Sequence, residues 1–267
     1  MKPPILILHA TGTNRDREAA WACELAGGAP EIVHMNQLLA GERRLADYRM
    51  AVLPGGFSYG DDLGAGRLWS VLLTYRLAEV MQDFVASGRP VLGICNGFQA
   101  LVKAGLLPGA LVVPAENPSV PAGTPLVTLT RNDSARFECR WVLLEPQAAS
   151  PCVFTRGCSE PIWCPVAHGE GKLVTRDAAA LSRLEDLGLA ALRYAAPDHT
   201  PPHYPDNPNG SQHAIAGICN VRGNVFGLMP HPEDHVIPRQ HPRYHRGERD
   251  GLGLPLFRNG VDYAAAL

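Results

Sequence analysis

The chain has 267 residues, enough for one large α/β domain or two small ones and for a sizeable core. Apolar residues make up 46% and charged residues 19%, with a formal net charge of −2, so composition gives no electrostatic reason to expect a nucleic-acid or membrane partner. No apolar run reaches the ~18–20 residues that span a bilayer.

The first segment, MKPPILILHATG, is too short in apolar residues for a secretion signal and reads as an opening strand, ILILH at 5–9. DREAAWACELAGG follows with a helical pattern that stops at Gly27-Gly28. MAVLP at 50–54 is a second strand, and SVLLTYRLAEVMQDFVASG (70–88) keeps apolar residues at helical spacing up to Gly88. PVLGI at 90–94 is a third strand. Strand–helix–strand alternation predicts a flavodoxin-like, doubly wound, mostly parallel α/β sheet with right-handed crossovers.

The middle changes character. PLVTLTRNDSARFECRWVLLE (125–145) alternates apolar and polar positions, which predicts antiparallel strands, read as a hairpin added to the main sheet. SRLEDLGLAALRY returns to helix then strand, and APDHTPPHYPDNPNGSQ (196–212) is an irregular loop. AIAGICNV and NVFGLMP are two short strands turning at Arg222-Gly223. No repeat or linker divides the chain, so the expectation is a single domain over 1–267, with about 239–267 as a C-terminal extension. The arginines at 239, 243, 246 and 249 there read as a solvated tail, or more sharply as a partner contact.

Seven cysteines cannot all pair with one another, and with no export signal they are expected to be free thiols in a reducing cytoplasm. Two places look like nucleophile elbows: GFSYG at 56–60 and GICNG at 93–97. An elbow needs a strand that stops abruptly, a nucleophile in a strained turn and a helix that starts at once. Cys95 meets all three conditions, and the helix N-terminus beside it favours a thiolate. Ser58 does not: its strand ends near Leu53, Pro54-Gly55-Gly56 intervene, and YGDDLGAG is too glycine-rich to open a helix. GFSYG is better read as a loop whose backbone N–H groups point at something. The competing reading of Cys95 is a buried core thiol between glycines.

A cysteine nucleophile needs a histidine and a group that orients it. Of the 10 histidines, His231 follows the strand NVFGLMP, so it falls at the same sheet edge as Cys95, the edge where open α/β sheets bind ligands. Glu233 lies two residues on, on the same side of an extended segment at about 6–7 Å of rise. Pro232 keeps that segment from coiling. A Cys95–His231–Glu233 triad follows. Metal binding by HPEDH with His241 and His245 is the rival. Pro232, Pro238 and Pro242 interrupt any helix that would align such ligands, and Cys152, Cys158 and Cys164 lack a C-x-x-C clip. No metal is expected.

Six blocks stand in order along nearly the whole chain: LPGGFSYGDDLGAG (53–66), GICNGFQ (93–99), TRNDSARFECRW (130–141), AHGEGK (167–172), YPDNPNGS (204–211) and GLMPHPED (227–234). With them the sequence resembles the class I glutamine amidotransferases, and within that family the branch of glutaminase subunits of phosphoribosylformylglycinamidine synthases of purine biosynthesis. The resemblance implies that Cys95, His231 and Glu233 hydrolyse L-glutamine to glutamate and ammonia. It implies an oxyanion hole from a backbone N–H of Gly55-Gly56 and that of Asn96, with Gln99 holding the substrate glutamine. Asn132, Ser134 and Phe137 resemble the segment that lies against the glutamine pocket.

It further implies a large synthetase partner, with a small accessory subunit of the same complex, that binds ATP and Mg²⁺ and converts formylglycinamide ribonucleotide to its amidine. No cofactor is expected in this chain, which has no G-x-x-x-x-G-K-[ST] loop. Two positions depart from the family pattern: Asp234 stands where Arg commonly follows His-Pro-Glu, and Gly64 where stand-alone subunits often carry Arg. Two rival functions remain: an elbow-cysteine hydrolase or stress protein on the same scaffold, and a non-catalytic assembly subunit. The first has no need of Gln99 or His231-Pro232-Glu233, and the second has no need of an intact triad.

Overall fold

A computed structural model describes residues 2–111, 113, 121 and 123–267. The chain opens with strand β1 (Pro4–His9), helix α1 (Asp16–Leu25), strand β2 (Ala29–His34) and the short helix α2 (Met35–Leu39). Strand β3 (Met50–Leu53), helices α3 (Arg67–Tyr75) and α4 (Ala78–Ala86), strand β4 (Val91–Ile94) and helix α5 (Asn96–Lys103) follow. Then come β5 (Val127–Arg131), β6 (Glu138–Pro146), β7 (Ile162–His168), β8 (Glu170–Thr175), helix α6 (Ala178–Asp186), β9 (Ala190–Ala195), β10 (Ile215–Cys219) and β11 (Val225–Leu228). Three 3₁₀ turns between Pro232 and Arg246 lead to the last helix, α7 (Leu254–Ala266).

Nine strands form one sheet in the order β2-β1-β3-β4-β11-β10-β9-β6-β7. The pairs from β2 through β11 are parallel, and those from β11 through β7 antiparallel. Strands β3, β4 and β11 are apolar and fully buried, and β1 is so over Ile5–Leu8, as expected of parallel strands covered on both faces. Their C-terminal ends lie on one edge, so Pro54, Cys95 and Met229 begin neighbouring loops there. The doubly wound architecture read from the alternation is therefore present, and the turn at Arg222-Gly223 does join an antiparallel pair, β10 and β11.

Two expectations are corrected. The apolar pattern over 70–88 is not one helix: the chain breaks at Arg76-Leu77, between α3 and α4. The two pieces bury different faces, Trp69 and Leu73 toward α5, and Met81 and Phe84 on the other side of the break, beside the turn at Leu45–Asp47. A straight helix could not serve both. The stretch 125–145 is not a hairpin either. Strand β5 pairs with β8 in a separate two-stranded sheet, while β6 enters the main sheet between β9 and β7. Alternation marks a half-buried strand without naming its partner.

The stretch expected to be a C-terminal extension ends in the core. Leu254, Leu256, Phe257, Val261 and Ala264 of α7 are buried, and Gly260 sits so close to Phe154 that a Cβ there would come within 2.5 Å of its ring. Arg239, Arg243, Arg246 and Arg249 before it are exposed. Phe257→Ala should cost about 3–5 kcal/mol in chemical denaturation, the usual range for emptying a buried phenylalanine site. A cost under 1 kcal/mol would make α7 an appendage.

Candidate active site

At the end of β4, Cys95 sits at φ 49°, ψ −102°, a left-handed conformation that non-glycine residues adopt only when their surroundings force it. The forcing is visible in the flanking glycines. A Cβ on Gly97 would come 1.9 Å from the Leu53 carbonyl oxygen, and one on Gly93 would meet Leu101 at 2.5 Å and Gly97 at 3.0 Å. The helix α5 can therefore start against β3 only if 97 has no side chain. The first N–H groups of α5 are left without a carbonyl one turn back and point toward the elbow.

The loop after β11 supplies the partner. His231 is buried, and its Nδ1 lies 2.7 Å from Glu233 Oε1, with Glu233 fully buried. With Nδ1 held by the carboxylate, Nε2 is the nitrogen left for Cys95. Gly55 fixes their proximity: a Cβ there would stand 2.5 Å from His231 Cε1 and 3.5 Å from Cys95 Cβ. The Cys95 sulfur also lies 3.8 Å from the Ala167 carbonyl oxygen of β7.

Electrostatics favour the charged imidazole. Burial pushes His231 down, but the Glu233 carboxylate and the Cys95 sulfur outweigh it and hold the group well above the ordinary histidine range. His168, at the end of β7, goes the other way. Burial, then the charge of His231, lowers it to about 3, so it is neutral. Asn132 donates through Nδ2 to the Arg136 and His168 carbonyls, which turns its Oδ1 toward His168 Nδ1 at 3.2 Å and places the His168 proton there. The site thus carries one imidazolium, not two.

The remaining expected residues are placed as follows. Gly56 (φ +144°) bridges to Thr13, and Gly55 accepts from the N–H groups of Asn14 and Arg15, so the loop 54–57 is held as an extended strip beside the elbow. Phe137 is exposed and stacks on exposed Phe57, with centroids 6.3 Å apart. Asn132 reaches the site only through His168. Ser134 does not reach it: its hydroxyl donates to Glu138, which is paired with Arg140. Gln99, expected to hold the substrate, is 2% exposed and bound at both ends of its amide, by Asn96 Nδ2 and by the Glu170 carbonyl.

Ser58 and Asp61 are both bonded to Asn96. The sequence reading weighed Ser58 only as a rival nucleophile and gave Asp61 and His168, which stood in quoted blocks, no role. It saw Asp234 only as a departure. Asp234 pairs with Arg15 at 3.5 Å. Among the described residues, His231, Glu233 and Asp234 are the one group of three potential metal ligands close together, within 4.8 Å, and Glu233 Oε1 is already engaged by His231.

Burial, then the charge of Glu233, raises the Asp234 carboxyl from 3.8 to about 6. The native state then holds this proton more tightly than the unfolded chain, so stability falls as pH rises from about 4 to about 6. The full loss is at most about 3 kcal/mol and less after solvent screening. Asp234→Asn should therefore match the wild type at pH 4 and exceed it in melting temperature at pH 7.5. Equal destabilisation at both pH values would mean that the Arg15 pair outweighs the burial.

A family model described as a CobB/CobQ-like glutamine amidotransferase domain matches residues 2–264. The chain belongs to that family. It is 46% identical to a phosphoribosylformylglycinamidine synthase subunit PurQ of Treponema denticola, over 98% of this chain and 99% of that protein. A subunit of the same name from Dehalococcoides mccartyi is 44% identical over 98% of both chains. Among solved structures, a chain of PurLQS from Thermotoga maritima matches with a TM-score of 0.70 and 31% identity, over 98% of this amidotransferase chain and 99% of that one. A second Thermotoga maritima structure, a glutamine amidotransferase at 16% identity and a TM-score of 0.56, shares the fold.

Proposed function

We infer that this amidotransferase chain is the glutaminase subunit of a phosphoribosylformylglycinamidine synthase. The likeness end to end to subunits of that name carries this reading, and the approach of Cys95, His231 and Glu233 supports the chemistry. In this reading the Cys95 thiolate attacks the side-chain carbonyl carbon of glutamine. The resulting oxyanion is met by the N–H of Asn96 and one from Gly55-Gly56, where a single donor is worth about 3 kcal/mol. His231 gives its Nε2 proton to the departing ammonia, and the tetrahedral species collapses to a glutamyl thioester. His231 then takes a proton from water, which hydrolyses the thioester to glutamate and frees the thiol. Glu233 holds the imidazole through Nδ1 throughout.

Ammonia released to solvent would be lost, so a synthetase partner is part of the proposal. ATP and Mg²⁺ would sit on that partner and serve the conversion of formylglycinamide ribonucleotide to its amidine. A small accessory subunit would complete the complex. Among the described residues no helix is long and apolar enough to cross a membrane.

The test is to incubate the chain with a diazo-ketone analogue of glutamine, with and without the synthetase, and map the label by mass spectrometry. Labelling at Cys95 that glutamine competes away is the expected result. No labelling with the partner present would favour an assembly subunit, and labelling at Ser58 would move the nucleophile to the other elbow.

A further inference from the structure

Asn96 follows the nucleophile and carries one of the two proposed oxyanion donors on its backbone, yet its side chain is 1% exposed and touches no open space. Its carboxamide is filled completely. Oδ1 accepts from the Ser58 N–H at 3.1 Å and from the Ser58 hydroxyl, while Nδ2 donates to Asp61 Oδ1 at 2.9 Å and to Gln99 Oε1 at 3.1 Å. The orientation is forced. A flipped amide would set its NH₂ against the Ser58 N–H and its oxygen against the Asp61 carboxylate.

The loop so gripped is the one that carries the other donor. Residues 54–57 run directly into Ser58, and Asp61 closes the far side by accepting from the Gly66 N–H at 3.2 Å. Gly66 packs on α5, where a Cβ would come 2.8 Å from Ala100 N, and Lys103 donates to the Ala65 carbonyl. Tyr59, Gly60 and Asp61 are all left-handed, at φ 54°, 69° and 53°, a path the backbone keeps only because both ends are tied down. Gln99 extends the grip to β8 through the Glu170 carbonyl.

We propose that Ser58 and Asp61 are positioning residues for the oxyanion hole: through the Asn96 carboxamide they lock the Gly55-Gly56 strip to the elbow. Gln99 is a strut of the same clamp. This rests on the glutaminase reading above. It also gives the serine of GFSYG its work, which is to hold the donor of the other elbow rather than to attack.

The test uses the full chain with its synthetase and the variants Ser58→Ala, Asp61→Ala and Asp61→Asn. Asparagine keeps an oxygen for Asn96 and Gly66; alanine does not. For Ser58→Ala kcat should fall about tenfold and for Asp61→Ala about 10–100-fold, with KM for glutamine within about twofold, because the clamp serves the transition state. Asp61→Asn should recover most of that loss.

Two further readouts separate positioning from general damage. L-Glutamate γ-semialdehyde forms a tetrahedral adduct on the cysteine, so its dissociation constant should rise by the same factor as kcat/KM falls. Alkylation of Cys95 by iodoacetamide creates no oxyanion and should stay within about twofold of wild type.

Variants that bind the aldehyde as tightly as wild type overturn the proposal. So do variants in which alkylation falls in step with turnover, or in which only KM changes. A wild type that forms no aldehyde adduct overturns the glutaminase reading and the clamp with it.

Discussion

Cys95→Ala should release no measurable ammonia from glutamine, a loss of at least about 10⁴-fold, because no other group in the site can form the thioester. The complex should still make product when supplied with ammonium, since the synthetase chemistry lies on the other subunit in the proposed arrangement. Loss of both activities would mean that Cys95 holds the assembly together. The variant has a second signature. The Cys95 sulfur is one of the two groups that hold His231 well above the ordinary histidine range, against the opposing pull of burial. Removing it should lower the His231 pKa, visible by NMR titration.

The sign for stability follows. A raised histidine pKa adds stability that is fully present below the unfolded value, 6.5, and is lost as pH rises through the folded value. The alanine variant should therefore lose less stability than wild type between neutral and alkaline pH. An unchanged imidazole would show that Glu233 alone holds the charge.

The triad was legible because each of its members is written into local sequence. Glycines mark a close approach at 93 and 97, and a strand end precedes both Cys95 and His231. The extended segment expected from Pro232 is instead a 3₁₀ turn, Pro232–Asp234, with Pro232 in its first position, and this turn brings Glu233 back to His231 Nδ1. Strands whose environment breaks the pattern were not legible. β2 is an edge strand that exposes Ala29, Glu31 and Ile32, so it lacks a regular apolar side. β7 alternates well but contains Pro165, which argues against a central strand; it is tolerated because β7 closes the other edge of the sheet.

The Asn96 clamp is of another kind again. Its partners Ser58 and Asp61 lie 38 and 35 residues away, and nothing in the spacing announces that an asparagine after a nucleophile will be consumed by a distant loop. Gln99 has one near partner, Asn96 three residues before it, and one distant one, Glu170, 71 residues on. Its place in a Cys-x-Gly-x-Gln run suggested a substrate contact, whereas the fold brings Asn96 and the Glu170 carbonyl to its amide first.

Gly97→Ala should damage the protein more than any other single methyl group added at the elbow. The added Cβ would lie 1.9 Å from the Leu53 oxygen and 2.6 Å from the Leu53 carbonyl carbon, both backbone atoms of a fully buried strand, so no side chain can swing aside. Either α5 lifts from β3 by more than an ångström or β3 is pushed out of register with β4. The cost should be about 3 kcal/mol in chemical denaturation, the upper range for overpacking. Because the shift carries Cys95 and the Asn96 N–H away from Gly55, the fraction that folds should also turn over about 10²-fold more slowly. Gly105 provides the control. It lies just beyond the same helix at φ +73° with no atom within 4 Å of its would-be Cβ. Gly105→Ala should cost only the left-handed strain, about 1 kcal/mol, and leave turnover intact. If Gly97→Ala behaved like Gly105→Ala, the tight contact between α5 and β3 would not be what shapes the elbow.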